Sequence, residues 1–120
     1  MALHNTIGKW GEDIAYNYLI DNGYKIIACN WKYKHRDLDI VAFENNVLII
    51  VEVKTRSNEN FSNADQAVTY QKIRSLSIAT NAFVKAHGIN NDIRFDIVTI
   101  VGTYDKYTIR HTKDAFLPII

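Results

Sequence analysis

The sequence predicts a single-domain α/β fold in which a mixed central β-sheet is flanked by helices. Helical patterns alternate with strand patterns along the chain, and the two strands around Asn45-Asn46 are almost wholly apolar. Strands of this kind are usually buried on both faces of a sheet, which requires helices to cover it. The length and apolar content suit one core, so we expect one domain over residues 1–120.

The elements are predicted in the order helix, three strands, helix and two strands. Apolar residues at helical spacing predict an amphipathic helix over 7–22, which stops at Gly23. Strands are predicted over 24–32, 37–44 and 47–54, a long helix over 65–87, and two more strands over 93–101 and 104–111. Ser62 or Asn63 is expected to cap the long helix.

The composition favours a soluble cytoplasmic protein. A net charge of +1 gives no overall electrostatic basis for nucleic-acid binding, so such binding must come from local patches. The single cysteine, Cys29, excludes an intrachain disulfide and a multi-cysteine zinc site, and we expect it to be buried. No signal-peptide pattern or apolar run of about 18 residues occurs. We therefore expect no membrane association.

Charged residues interrupt the two apolar strands of the hairpin. Asparagine tolerates positive φ, so Asn45-Asn46 suits a two-residue turn. Continued along the hairpin, this register sets Asp39 opposite Glu52 and Asp37 opposite Lys54. Side chains alternate along a strand, which places all four on one face. The opposite face is expected to carry Leu38, Ile40, Val47, Ile49, Val51 and Val53.

Opposed carboxylates at Asp39 and Glu52 repel each other unless a proton or a cation lies between them. Oxygen ligands without cysteine or a histidine pair suit Mg²⁺ or Mn²⁺, which also bind phosphate oxygens. Lys54 could then contact a phosphate or help to orient and deprotonate the attacking water. The alternative is a structural ion pair between Glu52 and Lys54 beside a solvated Asp39. The register alone leaves both interpretations open.

Several short motifs between residues 8 and 98 resemble the YraN-type family of small bacterial proteins. They are Gly-x-x-Gly-Glu at 8–12, Asn-Trp-Lys at 30–32, Asp-x-Asp at 37–39, Val-Glu-Val-Lys-Thr-Arg at 51–56, Lys72, and Arg-Phe-Asp at 94–96. The resemblance implies the PD-(D/E)XK nuclease superfamily, with a restriction-endonuclease-like core similar to that of Holliday-junction resolvases. It also implies magnesium-dependent cleavage of phosphodiester bonds.

Residue by residue, the resemblance implies that Asp39, Glu52 and Lys54 are catalytic and that Glu12, Asp39 and Glu52 hold the metal ion. On a helical wheel Glu12 lies off the apolar stripe, so it could face a cleft or solvent. Asp37 is expected to support the site or pair with Lys54. Because the family usually has Gly-Glu where this chain has Arg36-Asp37, a positive φ at Arg36 would be strained.

Cationic residues surround the predicted site. Lys32, Lys34, Arg36, Arg56 and Arg74 are expected to form a phosphate-binding rim, or else to be solvated surface charges. Gln71 and Lys72, near the start of the long helix, are expected to reach the cleft. Trp31 and Tyr33 could stack on unpaired bases, or Trp31 could pack in the core. Asp96 is expected to pair with Arg94, and we interpret His4, His87 and His111 as incidental.

The sequence thus favours a metal-dependent endonuclease of structured or branched DNA that uses Mg²⁺ or Mn²⁺. A homodimer would supply two sites for cutting both strands of a junction. One rival is a non-catalytic nucleic-acid-binding module that keeps the fold. The other is a nuclease that acts on RNA or on a small nucleotide.

Overall fold

The computed structural model describes residues 6–57 and 68–119. Its elements are α1 (Thr6–Asp21), β1 (Lys25–Tyr33), β2 (Arg36–Glu44), β3 (Val47–Arg56), α2 (Tyr70–His87), β4 (Ile93–Gly102) and β5 (Tyr107–Phe116). The predicted order of elements and the single-domain α/β class are confirmed. His4, Ser62 and Asn63, about which the sequence made predictions, lie outside the described residues.

The five strands form one mixed sheet in the order β1-β2-β3-β4-β5. The β3–β4 pair is parallel and the other pairs are antiparallel. A parallel pair needs a long crossover connection, and this connection contains α2. Between β2 and β3, Asn45 and Asn46 have φ angles of 49° and 68°, as a type I′ turn requires. The predicted hairpin register is confirmed from the turn as far as the Ile40–Val51 pair.

Each of the two described helices packs on a different face of the sheet. The α1 side contains Ala15, Leu19, Tyr24, Ile40, Ala42, Ile49, Val51, Val98 and Ile100. The α2 side contains Leu38, Val41, Leu48, Ile50, Leu76, Ala79, Phe83 and Phe95. Burial on both sides explains why β2 and β3 are so apolar. Neither described helix combines the length and the apolarity needed to cross a membrane.

The second helix begins at Tyr70, later than its sequence pattern predicted. Thr69 is its N-cap, because the Thr69 side chain accepts a 3.1 Å hydrogen bond from the N–H of Lys72. The helix ends as predicted at Gly88, whose φ of 64° is left-handed. The cap therefore fixes the start of α2 and, with it, the position of Lys72.

The last strand, β5, starts and ends later than the predicted 104–111. Thr103 and Lys106 close a tight turn with backbone hydrogen bonds of 2.8 and 3.2 Å, so the strand starts at Tyr107. It continues to Phe116 through a register shift against β4, close to Asp114, whose φ is 53°. Because β5 is an edge strand with mostly exposed polar residues, its sequence lacks the apolar alternation that would mark where it starts and ends.

A polar network centred on Asp96 joins β4 to β5, to α1 and to the connection between α1 and β1. The fully buried Asp96 carboxylate accepts hydrogen bonds from Nε of Arg94 at 2.8 Å and from the Tyr24 hydroxyl at 3.0 Å. Nε2 of His111 lies 2.8 Å away, and Nδ1 of His111 lies 2.9 Å from the Tyr18 hydroxyl. Burial raises the pKa of Asp96, but the bonds from His111 and Arg94 outweigh it and hold this pKa well below its usual range.

The predicted Asp96–Arg94 pair is thus confirmed. The interpretation of His111 as incidental is wrong. Its acid partner lies on another strand, where local sequence gives no sign of it.

Candidate active site

The charged residues of the hairpin lie at the end of the sheet where β1 ends, β2 begins and β3 ends. Gly11 of α1 lies so close to this end of β3 that an added Cβ atom would collide with the Thr55 methyl group. In the first turn of α2, Lys72 reaches Glu52. Helix N-termini favour anionic side chains and ligands. The fold therefore brings the acids, the second turn of α1 and the first turn of α2 to one end of the sheet.

Asp39 lies where β2 and β3 separate. The ladder ends at the Ile40–Val51 pair, so the predicted ladder pair of Asp39 and Glu52 is not formed. Instead, Oδ2 of Asp39 accepts a 2.9 Å hydrogen bond from the N–H of Val53. The Asp39 and Glu52 carboxyl groups are still close enough for the charge of Glu52 to raise the pKa of Asp39. The register thus predicted their proximity but not how β3 holds Asp39.

The strands around Asp39 depart from regular alternation. Leu38 packs on the α2 side and Ile40 on the α1 side, so the prediction that both share a face is wrong for Leu38. Across the β1–β2 ladder, Asn30 faces Asp39 between two regular pairs and has a φ of 50°. Asparagine is one of the few residues other than glycine that tolerate this conformation. The departure from regular strand geometry is therefore confined to Asp39 and the residues beside it.

A cleft of about 270 Å³ lies beneath α1 at this level. Its lining residues are Lys9, Glu12, Asp13, Tyr16, Cys29, Asn30, Asp39 and Ile40. Oε1 of the half-buried Glu12 accepts a 3.1 Å hydrogen bond from Nδ2 of Asn30. Glu12 therefore faces the cleft rather than open solvent. Cys29, which we expected to be buried, is exposed because β1 is an edge strand.

The electrostatics of Asp39 are unusual for an aspartate. Burial and the negative charge of Glu52 raise the pKa of Asp39 to about 7, with a further contribution from Glu12. The hydrogen bond from Val53 opposes this rise but does not cancel it. Near neutral pH the site therefore holds a proton that a cation could replace.

Glu52 is buried and has a cationic partner on α2. Nζ of Lys72 lies 3.1 Å from Oε2 of Glu52. Burial lowers the pKa of Lys72, but the Glu52 carboxylate outweighs it and the net pKa is raised. Lys72 therefore contacts one of the two acids of the hairpin, although it does not line the cleft beneath α1.

Lys54 lies on the same face of β3 as Glu52, since Val51 and Val53, which alternate with them, point to the α1 side. It pairs with Thr99 in the parallel ladder. Within residues 6–57 and 68–119, no carboxylate forms an ion pair with Lys54. Its ammonium group is therefore not committed to any of the described acids.

Asp37 occupies a different position from the one predicted. It lies opposite Lys32 in the β1–β2 ladder and pairs with it at 3.4 Å, so its predicted pairing with Lys54 is wrong. Because the β2–β3 ladder ends before this level, β1 rather than β3 supplies the neighbour. The Asp37 charge still helps to raise the pKa of Lys72. Asp37 thus lies at the border of the site.

The hairpin between β1 and β2 accommodates Arg36 without the expected strain. The left-handed residue of this turn is Lys34, with a φ of 57°. Arg36 is half-buried, and its Nε is buried without a hydrogen-bond acceptor among the described residues. The replacement of glycine by arginine at 36 therefore does not force an unfavourable φ there.

The other cations of the predicted rim are spread over several elements. Lys32 and Lys34 are exposed at the end of β1 and in its turn, and Arg74 is exposed on α2. Arg56 is half-buried at the end of β3, where Nη1 donates a 2.8 Å hydrogen bond to the carbonyl of Thr55. Gln71, next to Lys72, is exposed. Lys32 pairs with Asp37, Arg56 lies two residues beyond Lys54 in β3, and Arg74 lies two residues beyond Lys72 in α2.

Trp31 packs against α2. Its ring meets Phe83 edge to face, with centroids 5.1 Å apart, and lies nearly parallel to Tyr33 at 6.4 Å. Of the two roles left open for Trp31, the structure supports packing.

The donor set at this site fits a hard divalent cation in part. The half-buried Asp39 and the buried Glu52 supply two carboxylates whose mutual repulsion a cation would relieve. Mg²⁺ commonly takes one or two protein carboxylates and keeps several waters. No group of three potential ligand side chains within the described residues is arranged to hold an ion. The fit therefore rests on the Asp39–Glu52 pair, with Glu12 across the cleft.

Sequence reasoning did not assign a role to Asn30. This residue both adopts the left-handed backbone conformation opposite Asp39 and orients Glu12. An asparagine inside a predicted strand was the available signal, since asparagine is depleted in strands and enriched at positive φ.

Comparison with known proteins identifies relatives over the whole chain. A UPF0102 protein of Phocaeicola vulgatus is 47% identical over 120 residues, covering 100% of this chain and 99% of its own length. A UPF0102 protein of Bacteroides fragilis is 48% identical with 98% of each chain covered, and one of Flavobacterium psychrophilum is 40% identical with 97% of this chain and 98% of its own covered. A sequence model of the uncharacterised protein family UPF0102 matches residues 11–100, which include the residues of the candidate site. The chain therefore belongs to the uncharacterised protein family UPF0102.

Proposed function

We propose that this protein is a metal-dependent endonuclease that hydrolyses phosphodiester bonds in structured or branched DNA. The observation that carries the proposal is the pair of the half-buried Asp39 and the buried Glu52, in which burial and the charge of Glu52 raise the pKa of Asp39 to about 7. Lys72 balances the charge of Glu52, but no described cation forms an ion pair with Asp39, and a second carboxylate beside Glu52 is costly for a purely structural role. Binding a divalent cation and a phosphate would offset that cost.

Asp39 and Glu52 would hold Mg²⁺ or Mn²⁺, with Glu12 as a further ligand across the cleft. When bound, the ion supplies Lewis-acid chemistry at a phosphate oxygen. The N–H of Val53 fixes the Asp39 carboxylate, and Asn30 orients Glu12. These contacts hold the ligands on the sheet and on α1 rather than on flexible loops.

Lys54 is the candidate for assisting the attacking water or the phosphate. It lies two residues from Glu52 on the same strand face and has no ion-pair partner in the described part of the chain. An ammonium group can orient the water and stabilise charge that develops on the phosphate. Lys72 instead balances the charge of Glu52.

The cations around the carboxylates suit contacts to the nucleic-acid backbone. Lys32, Lys34, Arg36, Arg56 and Arg74 make up the proposed rim, with Gln71 at its border. Such contacts position a nucleic acid without reading its sequence. Two copies of the chain would be needed to cut both strands of a junction, so we propose a homodimer as the working form.

The test is a titration of Mn²⁺ and Mg²⁺ by calorimetry, together with cleavage of a branched DNA by the same samples. We expect the native protein to bind the ions and cut, and the Asp39→Ala, Glu52→Ala double variant to do neither. Panels of duplex, single-stranded DNA and RNA would define the substrate. A native protein that neither binds an ion in the presence of DNA nor cuts would overturn the proposal.

The Lys72–Glu52 ion pair favours a second candidate, a non-catalytic nucleic-acid-binding module. In such a module, the ammonium group of Lys72 would take the place that a metal ion has beside Glu52 in the nuclease. Removing the acids should then strengthen binding to a polyanion, since it removes negative charge from the surface. DNA affinity that rises in the double variant, with no cleavage by the native protein, would favour this alternative.

A further inference from the structure

A second pocket lies beside the candidate active site, on the α1 side of the sheet. It has a volume of about 340 Å³ and is lined by Trp10, Thr55, Arg56, Gly102, Thr103 and Tyr104, together with Ser57. Thr55 and Arg56 directly follow Lys54 in β3. We call this the aromatic pocket. It is continuous in sequence and in space with the end of the sheet that carries the acids.

An aromatic stack forms one wall of the aromatic pocket. The rings of Trp10 and Tyr104 are stacked, with centroids 5.2 Å apart and planes inclined by 20°. Tyr107 meets Trp10 edge to face at 5.6 Å. Tyr104 is nevertheless 61% exposed. The stack therefore keeps ring surface available to a further planar group.

The backbone holds Tyr104 in place. The turn that carries it is closed by two hydrogen bonds between Thr103 and Lys106. A rigid aromatic side chain loses little conformational entropy on binding. Arg56 adds a guanidinium group to the same pocket. A planar ligand attached to an anion could contact both the ring surface and the guanidinium group.

We propose that the aromatic pocket binds one unpaired base of a single-stranded nucleic-acid segment, with the adjoining phosphate near Arg56. This inference rests on the proposed function and narrows its substrate class to nucleic acids with unpaired nucleotides next to the cleaved bond. Bases in a duplex are already stacked and do not offer a free face, whereas unpaired bases stack readily on aromatic platforms.

The experiment measures binding of a short oligothymidylate in EDTA, where no cleavage occurs. The chain has two tryptophans, so a Trp31→Phe background isolates the fluorescence of Trp10. We expect the oligothymidylate to quench this fluorescence and a duplex of equal length to have little effect. Fluorescence anisotropy of a labelled oligothymidylate, on the native background, gives the affinity if Trp31→Phe lowers stability.

Tyr104→Ala should weaken the affinity about tenfold, as expected for loss of one base–aromatic stack, while Tyr104→Phe should retain it. Tyr70→Ala is the matched control, because Tyr70 is 66% exposed but lies on α2, away from the aromatic pocket. Equal affinities for the native, Tyr104→Ala and Tyr70→Ala proteins would overturn the inference. So would a duplex that binds as tightly as the single strand.

The two proposals fail in different ways. Binding that depends on Tyr104, in a protein that never cuts, would support the aromatic pocket and refute the nuclease. The opposite result is a protein that cuts flapped and branched substrates and whose cleavage and oligothymidylate binding are both unchanged by Tyr104→Ala. That result would support the nuclease and refute the aromatic pocket.

Discussion

Asp39 is the residue whose chemistry depends most on its surroundings. Burial and the charge of Glu52 raise its pKa to about 7 in the folded chain, whereas an unfolded aspartate has a pKa of about 4. Between these two values the folded state binds the proton more tightly than the unfolded state. The contribution of Asp39 to stability is therefore greatest at low pH and falls as the pH rises to about 7.

Asp39→Asn should remove this pH dependence. Asparagine keeps an oxygen that can accept the hydrogen bond from Val53 and carries no charge. We expect the free energy of unfolding of the variant, relative to the native protein, to rise by about 2 to 3 kcal/mol between pH 5 and pH 8. Urea denaturation in EDTA at both pH values measures it. A difference that does not change with pH would show that Asp39 has an ordinary pKa.

The two lysines near Glu52 should behave differently. Lys54→Met should reduce cleavage by about a hundredfold or more and change Mn²⁺ affinity little, because Lys54 forms no ion pair with the described acids. Lys72→Met should raise Mn²⁺ affinity by up to about fivefold, since it frees Glu52 from a partly exposed ion pair. Calorimetry and cleavage assays measure both effects. Loss of Mn²⁺ binding in Lys72→Met would contradict this division of roles.

At the scale of elements, the position of α1 on the sheet depends on Gly11. An alanine at this position would gain about 1 kcal/mol of helix propensity. Its methyl group would collide with Thr55, and such overpacking costs about 1 to 3 kcal/mol. The collision should dominate and push α1, with Glu12, away from β3.

Gly11→Ala should therefore lower the free energy of unfolding by about 1 kcal/mol and weaken metal binding. Asn17→Ala, at an exposed position of the same helix, should cause no loss of stability. Thermal denaturation and Mn²⁺ titration of both variants provide the test. A Gly11→Ala protein as stable as Asn17→Ala would mean that α1 can move without cost.

At the scale of the whole molecule, the Asp96 network holds the edge strand β5 to the rest of the sheet. Asp96→Ala would leave the half-buried Arg94 without one of its two carboxylates, the other being Glu44 at 3.0 Å. We expect a loss of about 3 to 5 kcal/mol. Lys113→Ala, which removes a largely exposed member of the same network, should cost about 1 kcal/mol or less.

The network also predicts a pH dependence of the opposite sign to that of Asp39. The pKa of folded Asp96 is lowered, so its stabilisation is present above the pKa of an unfolded aspartate and is lost as the pH falls below about 4. The stability difference between the native protein and Asp96→Asn should therefore shrink in acid. Urea denaturation at pH 7 and pH 3 measures it, and a constant difference would contradict the assignment.

The sequence by itself determined the element order, the hairpin register and the proximity of Asp39 to Glu52. These features depend on local signals: apolar periodicity, the Asn45-Asn46 turn and alternation along a strand. It did not determine where α2 begins or how far β5 extends. The start of α2 depends on which of several polar residues makes the cap, and the extent of β5 on a bulge in a polar edge strand.

Only the tertiary structure decided which distant residues complete the sites. It placed Lys72 on Glu52, Asn30 beside Glu12, and His111 on Asp96. It also moved Leu38 to the α2 side and paired Asp37 with Lys32. For Leu38 and Asp37 the physical reason is that the β2–β3 ladder ends at the Ile40–Val51 pair, so the residues of β2 before Ile40 have no ladder partner on β3. Beyond that point side-chain direction depends on contacts with α1, α2 and β1, which no periodic pattern in one strand can encode.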